Sequence, residues 1–345
     1  MTAPFDDSIP RSMELYRRAV RVIPGGIYGH TSPALTVPGV FPYYAESGAG
    51  CRYRDVDGRE IIDFMCGYGP LILGFRHPEV EAAAEAQRRK GNVFNHPTAA
   101  MVELAEYLVD RIDFADWAVF GKNGSDMTTW AVQVAREATN RPKVILAEGA
   151  YHGVDAWCTP GTGGLIPEDR KQVLTFPWNG LDALDALFAE HADAVAAVIL
   201  TPFHHPSFGR SVLPAPGFLE GVAAVCRRHG AVLILDDIRA GFRLHAGGSH
   251  RYYGFEPDIA CYCKALANGY PIAAAAGKEY LREASTRVFL TGSYWNNAEA
   301  MAACLACLAV VEREDVPSRL DRLGRRLEEG LRRAGSDAGI AVEVT

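Results

Sequence analysis

An α/β fold with a sheet covered on both faces is what this sequence predicts, and three observations carry the prediction. Short, continuously apolar runs recur through the middle of the chain: WAVF (117–120), KVILAEG (143–149), AVAAVIL (194–200), AVLILDD (231–237), DIACYC (258–263) and IAAAAG (272–277). Their lack of polar alternation marks strands buried on both faces. Segments of helical period separate several of them, as SDMTTWAVQVAREATN (125–140) separates the first two. Finally, GFLEGVAAVCRRHG (217–230) carries Phe218, Val222 and Cys226 on one stripe, meets a helix stop at Gly230 and runs straight into the strand at Ala231–Asp237. That is the helix-to-strand step of an α/β fold.

The remaining elements follow in chain order. Pro and Gly turns crowd the first 50 residues (IPGGIYGHTSPALTVPGVFP, 23–42), which are expected to wrap another part of the molecule. CRYRDVDGREIIDF (51–64) reads as a hairpin turning at Asp57-Gly58. From about Asp315 a charged helix runs through SRLDRLGRRLEEGLRRAG (318–335), and GIAVEV (339–344) reads as the start of a strand. A length of 345 residues suits about two domains.

Composition narrows the function. A net charge of −7 and a pI near 5.8 offer no basic surface for nucleic acid or anionic membrane. The N-terminus lacks the apolar core of a signal peptide, and no run approaches the roughly 18 apolar residues of a membrane span. A cytoplasmic protein is expected. Eight cysteines in a chain this long do not form a small secreted disulfide framework. The CLAC pair, Cys304 and Cys307, lies inside the helical run AEAMAACLACLAVVERE without a second pair or a flanking turn. It reads as small apolar filler, and no metal site is expected.

Four features fall at predicted strand ends, where open α/β sheets bind ligands. In GKNGSDMT (121–128), Gly124 permits close backbone approach and Ser125 stands at the start of a helix. The pattern suits either a phosphate or a simple N-cap. In AYHG (150–153), Tyr151 is either packing or a platform for a planar ligand. In LILDDI (233–238), Asp236 puts a carboxylate at the end of a core strand, where it needs a positive or hydrogen-bonding partner. Asp237 points to the opposite face, so the two would not chelate a metal together. Lys264, after DIACYC, is either a desolvated amine suited to Schiff-base chemistry or half of an ion pair with a carboxylate such as Asp236. Phosphate, ring, pyridinium partner and amine together describe pyridoxal 5′-phosphate (PLP).

These residues resemble the class III PLP-dependent aminotransferases, in the branch that contains glutamate-1-semialdehyde aminomutase. YRDVDGREIIDFMCGYGPLILGFRHPEV (53–80), FGKNGSDMTTWAVQVAREATNR (120–141), YHG, DDIRAGFR (236–243), CKALANGYPIAA (263–274) and SYWNNAEAMAA (293–303) follow in the family's order over about residues 15–330. The resemblance implies a fold-type I transferase whose large domain holds a mixed, mostly parallel sheet flanked by helices. A smaller domain would come from the terminal segments, dividing the chain into 1–55, 56–310 and 311–345, the last an incomplete start of the small domain. Lys264 would bond to the cofactor and shuttle protons. Asp236 would keep the pyridine nitrogen protonated, with Ile238 and Tyr151 on the two ring faces. His152 would join the cofactor site, and Asn123, Gly124 and Ser125 would hold the phosphate. Ser293 would reach that phosphate from the partner of a homodimer, although locally it could instead cap the helix near Asn297.

Departures from the family bear on the substrate. The usual Glu-Pro is Thr201-Pro202, followed by His204 and His205, either of which could reach the cofactor's phenolic oxygen. Ser32 stands where the aminomutase has a substrate-binding arginine. Tyr28, Tyr68 and Trp295 are expected to line the pocket, favouring a less acidic or ring-containing ketone over glutamate semialdehyde. The implied reaction moves an amino group between an amino donor and a ketone or aldehyde in a specialised biosynthetic pathway. Rival readings are an aminomutase or epimerase, and a PLP-binding protein with little catalysis.

Overall fold

The computed structural model describes residues 9–29, 44–207 and 209–344. They belong to two compact units, 1–78 and 79–345.

The first unit pairs a helix, Pro10–Ala19, with a small antiparallel sheet of β1 (Ala45–Ala49), β2 (Arg52–Asp55) and β3 (Glu60–Ile62). The expected hairpin is β2–β3, and β1 is an added strand that the Ser-Gly-rich segment did not announce. A buried carboxylate shapes the turn. Asp55 accepts from the backbone N–H groups of Asp57 and Arg59 at 3.0 and 2.9 Å, and from Arg59 Nε at 2.6 Å. Asp57 in turn accepts from the N–H groups of Arg11 and Ser12 in the first turn of the helix, at 2.8 and 3.0 Å. Tyr28 and Tyr68 belong to this unit and are exposed. Ser32 lies outside the described residues.

The second unit is built on a seven-stranded sheet: β4 (Trp117–Gly121), β5 (Lys143–Ala147), β6 (Val173–Phe176), β7 (Val195–Leu200), β8 (Val232–Asp236), β9 (Ile259–Tyr262) and β10 (Ala273–Gly277). Its order is β4-β10-β9-β8-β7-β5-β6. Only β10 runs against the rest, being antiparallel to both neighbours. Every residue of β7 through β10 is buried, as the unalternating apolar runs predict. Helices cover the faces. Gly124–Thr139 buries Met127, Ala131, Val134 and Ala135 without measurable exposure, each larger side chain contributing about 1.5–3 kcal/mol. Phe218–His229 buries Phe218, Val222 and Cys226 and stops at Gly230, whose φ is +63°.

Two local readings need correction, and one strand is unannounced by the sequence. VLTF (173–176) is an edge strand, too short and too polar at Thr175 to stand out as a core run. GIAVEV forms no strand among the described residues, because no neighbouring strand offers it backbone partners. After the helix Val316–Asp337 it folds back, Ile340 N–H donating to Gly335 O at 2.8 Å. Asn297, not Ser293, caps the helix Ala298–Arg313, accepting from Ala300 N–H at 2.8 Å. Cys304 and Cys307 lie buried within that helix as free thiols.

Candidate active site

Because six of the seven strands point one way, their carboxyl ends share one edge of the sheet. Five connections there, after β4, β5, β7, β8 and β9, deliver the predicted residues. Gly124, Ser125, Tyr151, His152, Asp236, Ile238 and Lys264 line one cleft, joined by Gly153, His205 and Arg239. It encloses about 350 Å³, including space open to solvent. A larger hollow, about 1390 Å³, lies at the opposite strand ends around Val232, Asp258 and Lys278. Lys278 is paired there with Glu256 and Asp258, and none of the sequence-predicted residues line it.

Asp236 ends β8 almost wholly buried. One oxygen pairs with His152 Nδ1 at 2.8 Å and the other accepts from Ile238 N–H at 3.2 Å. A carboxylate has about four lone-pair positions, so acceptor capacity remains. His152 is held in turn through its carbonyl, which accepts from Thr128 Oγ1 at 2.6 Å. Its Nε2 is buried without a hydrogen-bond partner. Asp237 faces away: it accepts from Ser249 N–H at 2.8 Å and from the Ser249 hydroxyl. Burial, against those hydrogen bonds, pushes its carboxyl up to about 7.

Lys264 follows β9 with φ +39°, a left-handed conformation that non-glycine residues adopt at a cost of about 1–3 kcal/mol. A 3₁₀ turn, Lys264–Ala267, fixes it, with the Cys307 thiol donating to Ala265 O at 3.4 Å. The ammonium makes no hydrogen bond or ion pair among the described residues, so the Asp236 ion-pair alternative is not formed. Burial first, then the positive charge of Arg239, holds its pKa below the ordinary lysine value, against an opposing pull from Asp236. An amine so placed is a nucleophile and a proton carrier.

The first turn of Gly124–Thr139 bounds the other end of the cleft. Asn123, exposed, is its N-cap, and Asp126 accepts from the N–H groups of Lys122 and Asn123 at 3.0 and 2.8 Å. Ser125 is therefore not the cap. Its Oγ instead accepts from Val154 N–H at 3.2 Å. Two glycines make the cradle. A Cβ on Gly124 would sit 2.5 Å from Ile238 Cδ1, and one on Gly153 would sit 2.6 Å from Ser125 Oγ. A backbone cradle at a helix start suits a phosphate, and the spare capacity of Asp236 suits a protonated ring nitrogen. The residues present fit PLP.

Of the two candidate histidines, only His205 lines the cleft. Burial, then Arg239, pushes it down to about 4, so the ring is neutral near pH 7. His204 is turned elsewhere, stacked on Trp178 at 5.3 Å and bridged through its backbone to Val212. Thr201 donates to Phe203 O at 2.7 Å, tightening the same turn. Ser293 and Tyr294 are exposed and Trp295 is partly buried. Lys122 Nζ lies 5.4 Å over the Tyr294 ring.

Residues 36–344 match the profile of the family described as Aminotransferase class-III. The chain belongs to this family. As a class III aminotransferase it is a PLP-dependent enzyme of fold type I that transfers an amino group between a donor and a carbonyl acceptor. It is 41% identical over 335 residues to the aminopentol aminotransferase of Sphingopyxis macrogoltabida, covering 97% of this chain and 79% of the relative. It is 35% identical over 339 residues to the 3-aminobutyryl-CoA aminotransferase of Cloacimonas acidaminovorans (strain Evry), covering 98% and 81%. The fold is similar to that of the FumI protein of Sphingopyxis sp. MTA144 in its PLP internal aldimine form, with a TM-score of 0.93 and 41% identity over 95% of this chain and 79% of that one. It is also similar to a glutamate-1-semialdehyde aminomutase from Pseudomonas aeruginosa PAO1, at a TM-score of 0.84 and 27% identity over 95% and 76%. Among the described residues, no helix is long and apolar enough to cross a membrane.

Sequence reasoning missed Gly153 and Arg239. Both stand inside quoted motifs, YHG and DDIRAGFR, but nothing in the residue types says that one loop must press on Ser125 or that the other points a cation into the cleft.

Proposed function

We propose that Lys264 bonds covalently to PLP in this class III aminotransferase and carries the proton that amino transfer requires. The observation supporting this is the convergence of a desolvated, unpaired Lys264 with a buried, partly unspent Asp236 on one cleft. When bound, PLP supplies an aldehyde for the amine and a ring that draws electrons from the substrate carbon. Asp236, oriented by His152, holds the ring nitrogen protonated. Ile238 and Tyr151 confine the ring from its two faces. Asn123, Gly124 and Ser125 hold the phosphate, and His205 donates its neutral N–H toward the phenolic oxygen. Ser293 completes the phosphate site from the second subunit of a homodimer, and the enzyme works in the cytoplasm.

The substrate is a carbonyl compound without strong negative charge at its reacting end, met by Trp295 in a specialised biosynthetic pathway. The names of the two relatives support this reading, since neither aminopentol nor 3-aminobutyryl-CoA is an α-amino acid. A half-reaction tests it. An amino donor alone should convert the aldehyde cofactor to its amine form and release a stoichiometric carbonyl product. An isomerised amine without free carbonyl product would show a mutase, and no reaction across a broad donor panel would show a non-catalytic binder.

A further inference from the structure

The segment 150–158 after β5 forms no helix or strand, yet it carries Tyr151, His152 and Gly153 into the cleft. Side chains of the helix Gly124–Thr139 give it its shape. Ser125 Oγ accepts from Val154 N–H at 3.2 Å, and Thr128 Oγ1 donates to His152 O at 2.6 Å. Thr129, one turn along the helix from Ser125, makes a third attachment that the roles above leave unused. Its hydroxyl donates to Asp155 Oδ2 at 2.6 Å and accepts from Trp157 Nε1–H at 2.9 Å. All three residues are half-buried. Asp155 also turns the chain, its carbonyl accepting from the N–H groups of Cys158 and Thr159 at 3.0 and 2.9 Å. Trp157 packs against the core of the second unit.

We infer that Thr129 is a positioning residue for the cofactor: with Asp155 and Trp157 it forms a clip that holds Tyr151 and His152 in place against the ring and Asp236. The inference rests on the cofactor reading above and adds the residues that keep two of its contacts in position. A threonine hydroxyl has one proton to give and lone pairs to receive. Here the proton goes to a carboxylate, at the short distance of a charge-assisted bond. A lone pair takes the N–H of an indole, a group that can only donate. Each partner fixes the hydroxyl's orientation for the other, so the clip holds or opens as a unit. Asp155 lies three residues from His152, whose Nδ1 is 2.8 Å from Asp236, and four from Tyr151 on the ring face. A loosened clip therefore reaches both contacts through a short piece of irregular backbone. Such contacts act by geometry, and a misplacement of about 1 Å costs about a hundredfold in rate.

Thr129→Val, which keeps the side chain's shape and removes both bonds, is compared with Thr129→Ser, which keeps them, and with wild type. Stripped enzyme is titrated with PLP by absorbance, and circular dichroism of the cofactor's visible band at saturation reads how the ring is held. Thr129→Val should bind PLP about tenfold more weakly, the scale of one hydrogen bond to a charged group, and show an altered band. Thr129→Ser should restore both. Trp157→Phe, which keeps an aromatic ring and removes the N–H, should alter the band in the same direction. Combined with Thr129→Val it should add nothing to the loss, because the clip is already open. Wild-type affinity and band in Thr129→Val overturn the clip, as does a Thr129→Ser that behaves like Thr129→Val. A lowered thermal midpoint with affinity and band unchanged assigns Thr129 a purely structural role and also overturns it. Should Thr129→Val fail to fold, Trp157→Phe carries the test, and an unchanged band there overturns the clip. Borohydride labelling of the wild-type enzyme keeps the two readings apart: loss of the Lys264 adduct sinks the cofactor reading, whereas an intact adduct with unchanged variants sinks only the clip.

Discussion

Gly153→Ala tests whether Gly153 and Ser125 form one cradle. Gly153 has φ +134°, a sparsely populated backbone region in which an alanine is disfavoured by about 1–3 kcal/mol. The new Cβ would sit 2.6 Å from Ser125 Oγ, 2.9 Å from its Cβ and 3.1 Å from its Cα. The hydroxyl can rotate away, but the Cα belongs to the first turn of a buried helix and cannot, so crowding adds about 1–3 kcal/mol. Relief requires the 150–154 loop to move off the helix, which breaks the 3.2 Å bond from Val154 N–H to Ser125 Oγ. If about 2 kcal/mol of that total falls on the cradle, PLP affinity drops about 30-fold. Stripped enzyme is titrated with PLP by absorbance, with far-ultraviolet circular dichroism confirming the fold. Gly163→Ala is the control, since a Cβ there meets nothing within 4 Å. A folded Gly153→Ala that binds PLP as tightly as Gly163→Ala would refute the cradle.

The two adjacent aspartates should separate cleanly. Asp236→Asn should lower turnover by at least two orders of magnitude, while Asp237→Asn, away from the cleft, should retain it; the reverse pattern in steady-state assays would exchange their roles. Asp237 also makes a stability prediction. With its folded pKa raised to about 7 from 3.8, its contribution is full below pH 4 and is lost as pH rises through 7, by up to about 4 kcal/mol. Urea midpoints should therefore show Asp237→Asn gaining on wild type between pH 4 and 8, and parallel curves would contradict this. His205, held near pKa 4, should leave no limb in the pH–rate profile between 5.5 and 8. A limb near 6.5 that vanishes in His205→Gln would show that it titrates during catalysis.

The sheet was legible because β7 to β10 are buried on both faces, and that burial writes itself as uninterrupted apolar runs. β6 escaped because an edge strand is buried less and tolerates Thr175. The site was legible where chemistry conflicts with position. A lysine or aspartate at the end of a core strand demands a reason, so Lys264 and Asp236 announced themselves. Ser125 was placed in the right loop with an ambiguous role, because capping and anion binding use the same residue types, and only the structure gives the cap to Asn123. His204 and His205 could not be told apart from sequence. Their difference is a turn fixed by Thr201 and a stack on Trp178. Arg239 was invisible for a more general reason: an arginine in a turn looks like any solvated cation until its surroundings show a cleft.

The account stands most directly on which amine bonds to PLP. Borohydride reduction of the PLP-loaded enzyme, followed by proteolysis and peptide mapping, fixes that amine permanently and reads its position. The prediction is a single pyridoxyl adduct on Lys264, about one per chain, absent from Lys264→Ala even though that variant still binds PLP. An adduct on Lys122 or Lys278 in the wild-type enzyme, with Lys264 unlabelled, would contradict the account.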